Sequence, residues 1–362
     1  MRFLANAVFV ALCGVFLSGC SLTFPARPSQ KTLNVLPKAT IERCDTHALL
    51  MPNTLTYNDA KSRDGEGPWQ AVSFTYQPRN TGVPKNDIIR GEFFFQNPQV
   101  RRTSLVVLLP GKGENVSTKK SAEVLADAGF SVLRFRSGIA LFDKKKFAAY
   151  EALTENDVRS FARDGARVIE RRACDYHAVI NYFNRHFCFD AIGVSGVSLG
   201  GIFTPILVAS YPKAHSALVM ISGANIAEIL RTSEEKNIVE IRKAITVRFN
   251  GDQRRVWQIL KEEFARIDPS FFVSSLDPLR TRIIVNYWDA VIPFRLSKEL
   301  WKAAGKPDFE VIIFPPGHYG SALLLWVPMV RWRLWHGIVP YPWRISRVSD
   351  INLDFFTKTL PR

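Results

Sequence analysis

Acidic residues are scarce in this chain: 33 Asp and Glu stand against 48 Lys and Arg, a formal net charge of +15. Cysteine (five), methionine (four) and histidine (six) are scarcer still. No C-x-x-C pair and no Cys/His run at ligand spacing occurs, so neither a structural metal nor a cofactor is expected. Zinc-finger spacing, RNP-like motifs and basic-region heptads are also missing. The basic residues are scattered as pairs, Arg101-Arg102, Lys119-Lys120, Arg171-Arg172 and Arg254-Arg255, with one triplet at 144–146. That pattern argues against a nucleic-acid partner, while the excess charge suits an anionic surface such as a membrane. Long apolar runs are few. Residues 3–17 are too short for a comfortable membrane span, and Pro328 within the apolar stretch 321–330, with Arg331 and Arg333 just after it, rules one out there, so that stretch reads as a final helix packed on the sheet.

What remains is ordinary for a globular protein with a substantial core: 47% hydrophobic and 22% charged residues over 362 positions. The continuously apolar segment 105–109 reads as a strand buried in a parallel sheet, and the mostly apolar segments at 131–135, 191–194, 217–221, 282–286 and 310–314 read as further strands. Strand-like segments at 71–76 and 88–95 flank a Pro/Asn/Gly turn region and read as a hairpin at one end. Helical patterns lie between the strands, at 121–128 and, with an amphipathic period, at 161–183. Strands alternating with helices predict an α/β fold with a mostly parallel sheet of about eight strands, the first two forming an antiparallel edge.

One stretch organises the rest. Ala191, Ile192 and Val194 make a strand, Gly196-Val197-Ser198-Leu199-Gly200 fits G-x-S-x-G, and an apolar helical run follows to Ser210. Strand, sharp turn and helix are the context of a nucleophile elbow, where the glycines leave room for a serine in a strained turn. Ser195 does not fit, because Val197 stands where the second glycine would be. Pro205 removes one hydrogen bond from the helix that follows.

The N-terminus carries its own signal. Arg2, the apolar run and Leu17-Ser18-Gly19-Cys20 read as a secretory signal, and the last four residues resemble the lipobox of bacterial lipoproteins. An ordinary cleaved signal or a signal anchor is the alternative. The resemblance implies that residues 1–19 are removed, that Cys20 carries the lipid, and that the chain sits in the cell envelope; Ser21 in place of aspartate implies the outer membrane, facing the periplasm. One arginine leaves with residues 1–19, so the mature chain stays near +14 and suits an anionic leaflet. Cys44, Cys174 and Cys188 then remain, enough for one disulfide. Cys174 and Cys188 bracket a helical pattern and would stand about 20 Å apart, so any bond involves Cys44.

The expected organisation is a signal peptide (1–19), a lipidated tether and arm (20–68), a core (69–223 and 281–336), a helical insertion (224–280) and a tail (337–362). In the insertion Thr232-Ser-Glu-Glu235 fits a capping box. Ile238, Ile241 and Ile245 form one helical face there, and Val256, Ile259, Leu260 and Phe264 another. Placed after the sixth strand, these helices read as a lid over the strand ends, with an apolar acyl pocket beneath.

With these residues in view, the sequence resembles the α/β-hydrolases over roughly residues 70–335. That family orders its catalytic residues nucleophile, acid, histidine. The resemblance implies Ser198 as nucleophile, Asp289 in Tyr-Trp-Asp-Ala-Val-Ile-Pro293 as the orienting acid, and His318 in Pro-Pro-Gly-His-Tyr-Gly320 as general base. It also implies an oxyanion hole from the backbone N–H groups of Leu199 and Lys112, with Gly113 as the alternative; proline at 110 departs from the family's commoner His-Gly-x loop. The expected activity is hydrolysis of a small-molecule or lipid-like carboxylic ester through an acyl-enzyme. Peptidase and thioesterase chemistry use the same three residues, and a non-catalytic envelope scaffold is the rival outside enzymology.

Overall fold

The apolar runs at 105–109, 131–135 and 191–194 are strands in the computed structural model, which describes residues 55–61, 69–76, 88–96, 104–112, 116–136, 152–211, 213–312, 317–318 and 348–361. The strands are Leu55–Lys61 (β1), Trp69–Tyr76 (β2), Ile89–Gln96 (β3), Ser104–Leu109 (β4), Ser131–Phe135 (β5), Ala191–Val197 (β6), Ala214–Met220 (β7), Thr281–Asn286 (β8) and Asp308–Ile312 (β9). They form one nine-stranded sheet in the order β1-β2-β3-β5-β4-β6-β7-β8-β9. The pairs β1/β2, β2/β3 and β3/β5 are antiparallel, and every pair from β5/β4 to β8/β9 is parallel. Eight of these strands are the expected ones. The ninth, β1, lies inside the stretch expected to be tether and arm. Its sequence, LTYNDAK, has no apolar run, because an edge strand needs only one ladder and here its pairing with β2 shifts between Asn58 and Lys61.

Side-chain alternation splits the core into two layers. Along β4, Leu105, Val107 and Leu109 face one cluster while Val106 and Leu108 face the other. The first layer is built on Glu155–Phe187 (α2) and Leu199–Ser210 (α3). Thr154 starts α2 with a capping box: its hydroxyl accepts from Asp157 N–H at 3.3 Å and Asp157 Oδ2 accepts from Thr154 N–H at 2.8 Å. The opposite layer holds Val116–Asp127 (α1) and Val348–Thr359 (α9). Ile351, Phe355, Phe356 and Leu360 fill that side of the sheet, and Ser104 Oγ donates to the Pro361 carbonyl at 2.7 Å. The end of the expected tail is therefore part of the core. A side chain at Gly193 in β6 would run into the Phe356 ring, which seats α9 directly on the central strand.

The insertion contains Ile226–Thr232 (α4), Lys236–Arg248 (α5), Gln253–Phe264 (α6) and Pro269–Val273 (α7), with 3-10 turns at Ala265–Ile267 and Pro278–Arg280; Phe294–Ala303 (α8) follows β8. Its two apolar faces pack inward. Ile241, Ile245, Val256, Ile259, Leu260 and Phe264 are buried in the same cluster as α2 and α3, and Ile238 packs against it. Ion pairs bind α6 to α2: Arg159 reaches Glu263 at 2.7 Å and Glu262 at 3.1 Å, Arg163 reaches Glu263 at 3.0 Å, and Arg255 reaches Glu155 at 3.0 Å. The expected capping box is displaced. Thr232 finishes α4, donating its hydroxyl to the Glu228 carbonyl at 2.7 Å, and Glu235 caps α5 by accepting from Ile238 N–H at 3.0 Å. Among the described residues no helix is long and apolar enough to cross a membrane. Cys188 is a free, exposed thiol, while Cys174 is disulfide-bonded to a partner outside the described residues. The signal, Cys20, Cys44, Gly113 and the apolar stretch 321–330 also lie outside them.

Candidate active site

β6 is buried along its whole length and delivers Ser198 to the sheet's C-terminal edge. Ser198 has φ 56° and ψ −116°, a conformation that serine rarely adopts. Two close approaches impose it. A Cβ at Gly196 would strike the Gly200 carbonyl, and one at Gly200 would lie 2.6 Å from the Leu109 carbonyl oxygen and 2.7 Å from that of Pro110. Real Cβ atoms do not come so near, so the turn closes only with glycine on both sides of the serine. The backbone N–H of Ser198 donates to Met220 at 2.8 Å, anchoring the turn to β7. Ser195 stays inside the β6 ladder, 2% exposed.

The other two expected residues arrive from loops after β8 and β9. Ser198 Oγ and His318 Nε2 are 2.8 Å apart, and His318 Nδ1 and Asp289 Oδ2 are 2.7 Å apart. Gly317, just before the histidine, has φ 64°, which favours glycine there. The second Asp289 oxygen accepts the backbone N–H groups of Val291 and Ile292, each at 2.8 Å. Both oxygens of a buried carboxylate are thus engaged, which fixes its aim. Sequence reasoning missed Asn286 at the end of β8. It is buried, accepts from Trp288 N–H at 2.7 Å and donates to the Gly317 carbonyl at 3.1 Å, so it ties the acid loop to the histidine loop. The available signal was a lone amide ending an apolar strand.

The competing residues are occupied elsewhere. Asp268 accepts from Asn225, Ile226 and Ser270 N–H groups at 3.1, 2.7 and 3.0 Å, Asp277 caps Leu279 at 2.9 Å, and Asp308 pairs with Arg282 at 3.2 Å. His177 is buried against Ser210 Oγ at 2.9 Å, and His186 and His215 meet carbonyls of Tyr182 and Lys213.

The loop after β4 lies beside the serine. A Cβ on Gly111 would stand 3.6 Å from Ser198 Cβ and 3.4 Å from the Val197 carbonyl oxygen. Among the described residues no backbone carbonyl takes the N–H of Leu199 or of Lys112. Backbone N–H groups left unclaimed among the described residues, at the elbow and in the loop beside it, can stabilise negative charge developing on a bound carbonyl oxygen. A serine in line with an imidazole and a doubly anchored carboxylate can be deprotonated as it attacks. Chemically the arrangement suits acyl transfer. Among the described residues no three His, Cys, Asp or Glu side chains are grouped as a metal site.

No protein-family model and no curated protein matches the sequence. Solved structures do match. An acetyl xylan esterase from Paenibacillus sp. R4 aligns with a TM-score of 0.56 at 15% identity, over 83% of this chain and 98% of that one. Acetyl xylan esterase 1 from Thermoanaerobacterium sp. JW/SL YS485 aligns with a TM-score of 0.55 at 13% identity, over 79% of this chain and 90% of its own. At such identities the likeness is one of architecture, and with the sheet order and the elbow it shows that the chain has the α/β-hydrolase fold.

Proposed function

We propose that this chain is a serine hydrolase that cleaves carboxylic esters through an acyl-enzyme, and that it works in the bacterial cell envelope, held by a lipid on Cys20. The observation that carries the catalytic reading is the unbroken line Ser198–His318–Asp289, with contacts of 2.8 and 2.7 Å. Ser198 Oγ attacks the acyl carbon while its proton passes to His318 Nε2, and Asp289 holds the imidazolium that forms. The carbonyl electron pair moves onto oxygen, facing the N–H groups of Leu199 and Lys112. When the tetrahedral adduct collapses, His318 returns the proton to the departing alcohol. Water, deprotonated by the same imidazole, then releases the acid and restores Ser198.

Esters are favoured over amides and thioesters because both structural neighbours above carry esterase names. The test is a panel of p-nitrophenyl esters, acyl thioesters and peptide amides offered to the purified chain from residue 20 onward. Hydrolysis of esters at rates well above the other two classes supports the reading. A preference for amides or thioesters replaces the substrate class, and an inert folded protein leaves the scaffold.

The envelope reading rests on Leu17-Ser18-Gly19-Cys20 and the basic mature chain. Cell fractionation tests it: the wild-type chain should sediment with outer membranes, and Cys20→Ser should not. Equal distribution of the two would overturn the lipid anchor.

A further inference from the structure

Only three residues, Ser233, Glu234 and Glu235, join α4 to α5, and they touch both loops of the site. Glu235 Oε1 accepts from Lys112 Nζ at 2.6 Å, and Glu234 N–H donates to the carbonyl of Ala290, the residue after Asp289, at 2.9 Å. The Glu235 carboxylate is itself anchored. It accepts from Ile238 N–H and from Asn237 Nδ2, both at 3.0 Å, while Glu235 N–H reaches Ser233 Oγ at 3.2 Å. Arg242 holds the same turn through the carbonyls of Leu230 and Ser233, at 3.3 and 2.8 Å. Burial pushes the Glu235 carboxyl up, yet the Lys112 ammonium and the cap hydrogen bonds hold it below its ordinary value.

The pair joins a half-exposed lysine to a nearly buried carboxylate, with side chains 51% and 10% exposed. Water screens the lysine end of such a pair, so the pair adds little to stability. Its position matters more. Lys112 stands between Gly111 and Gly113, and a glycine-flanked residue has little intrinsic reason to keep its N–H aimed at one point. An oxyanion donor must nevertheless stand about 2.7–3.1 Å from the developing charge.

We infer that Glu235 is a positioning residue: by gripping the Lys112 side chain from the insertion, it holds the Lys112 backbone N–H in register with Ser198. This deepens the hydrolase reading and rests on it. The insertion then sets the oxyanion loop as well as covering the helical layer, and acyl transfer depends on a contact between residues 123 positions apart.

Steady-state kinetics on p-nitrophenyl acetate test the inference in the full mature chain. Lys112→Met keeps the backbone donor and the α5 cap but removes the grip. It should lower kcat about tenfold or more, since misplacement by about 1 Å can cost 10²-fold. KM should stay within about twofold if the donor acts on the transition state rather than on bound substrate. Glu235→Gln, which keeps an acceptor for Ile238, should fall equally. The double variant should be no slower than either single one, and Lys112→Arg should recover most of the rate. Thermal midpoints of all variants should stay near wild type. Active wild type with unchanged kcat in Lys112→Met and Glu235→Gln overturns this inference alone, as does loss of thermal stability with kcat preserved. A folded wild type without esterase activity overturns the hydrolase reading and this inference with it.

Discussion

At the residue scale, Asp289 is set apart from the other carboxylates by what its oxygens do. One faces His318 and the other is filled by two backbone N–H groups, so the side chain has no alternative pose. Asp289→Asn preserves that shape but presents an amide to Nδ1 and favours the wrong imidazole tautomer. Turnover should fall by about 10⁴ with folding retained. Asp277→Asn should change kcat by less than about twofold, because Asp277 caps the turn at Leu279 and pairs with Arg280 at 3.7 Å, away from His318; the reverse ranking would displace Asp289 from the site. His177 gives a second, chemically separate test. Burial pushes its imidazole down to about 4, so the folded state refuses a proton that the unfolded chain accepts near 6.5. Between those values the unfolded state binds more protons, and stability must therefore fall as pH drops from 6.5 to 4, by roughly 3 kcal/mol at most. Urea midpoints at pH 7 and pH 4.5 should separate in the wild type and draw together in His177→Gln. An identical slope in both would refute a buried neutral histidine.

At the element scale, the insertion behaves as part of the core. Its helices carry the apolar faces expected from the sequence, but those faces are buried in the cluster that also holds α2 and α3. Leu260 is fully buried among them. Leu260→Ala should cost about 2–5 kcal/mol by denaturant titration and leave the acyl-length preference unchanged; a shifted preference with stability intact would return these residues to the substrate. The same element shows what a sequence reveals. Buried strands were legible because a sheet covered on both faces demands uninterrupted apolar runs, as in Ser104–Leu109. The elbow was legible because its two glycines, one answering the turn itself and one the loop after β4, fall at a fixed spacing around the serine. The edge strand β1 was not, since one ladder needs no apolar run, and α9 was hidden behind the Pro- and Arg-containing stretch that precedes it. Asn286 left only the faint trace of an amide ending an apolar strand, while Lys112 and Glu235 were beyond reach for another reason. These two lie 123 positions apart, and no local pattern encodes such a pair.

At the scale of the whole molecule, the sheet gathers residues from three distant segments to one edge, and the central claim is that this edge is a working serine hydrolase site. Fluorophosphonate labelling followed by intact-mass measurement tests it most directly, because only a serine activated by its neighbours reacts readily with the reagent. One adduct is expected per wild-type chain, and none on Ser198→Ala of equal thermal stability. Labelling that survives the substitution, or a folded wild type that never labels, would contradict it.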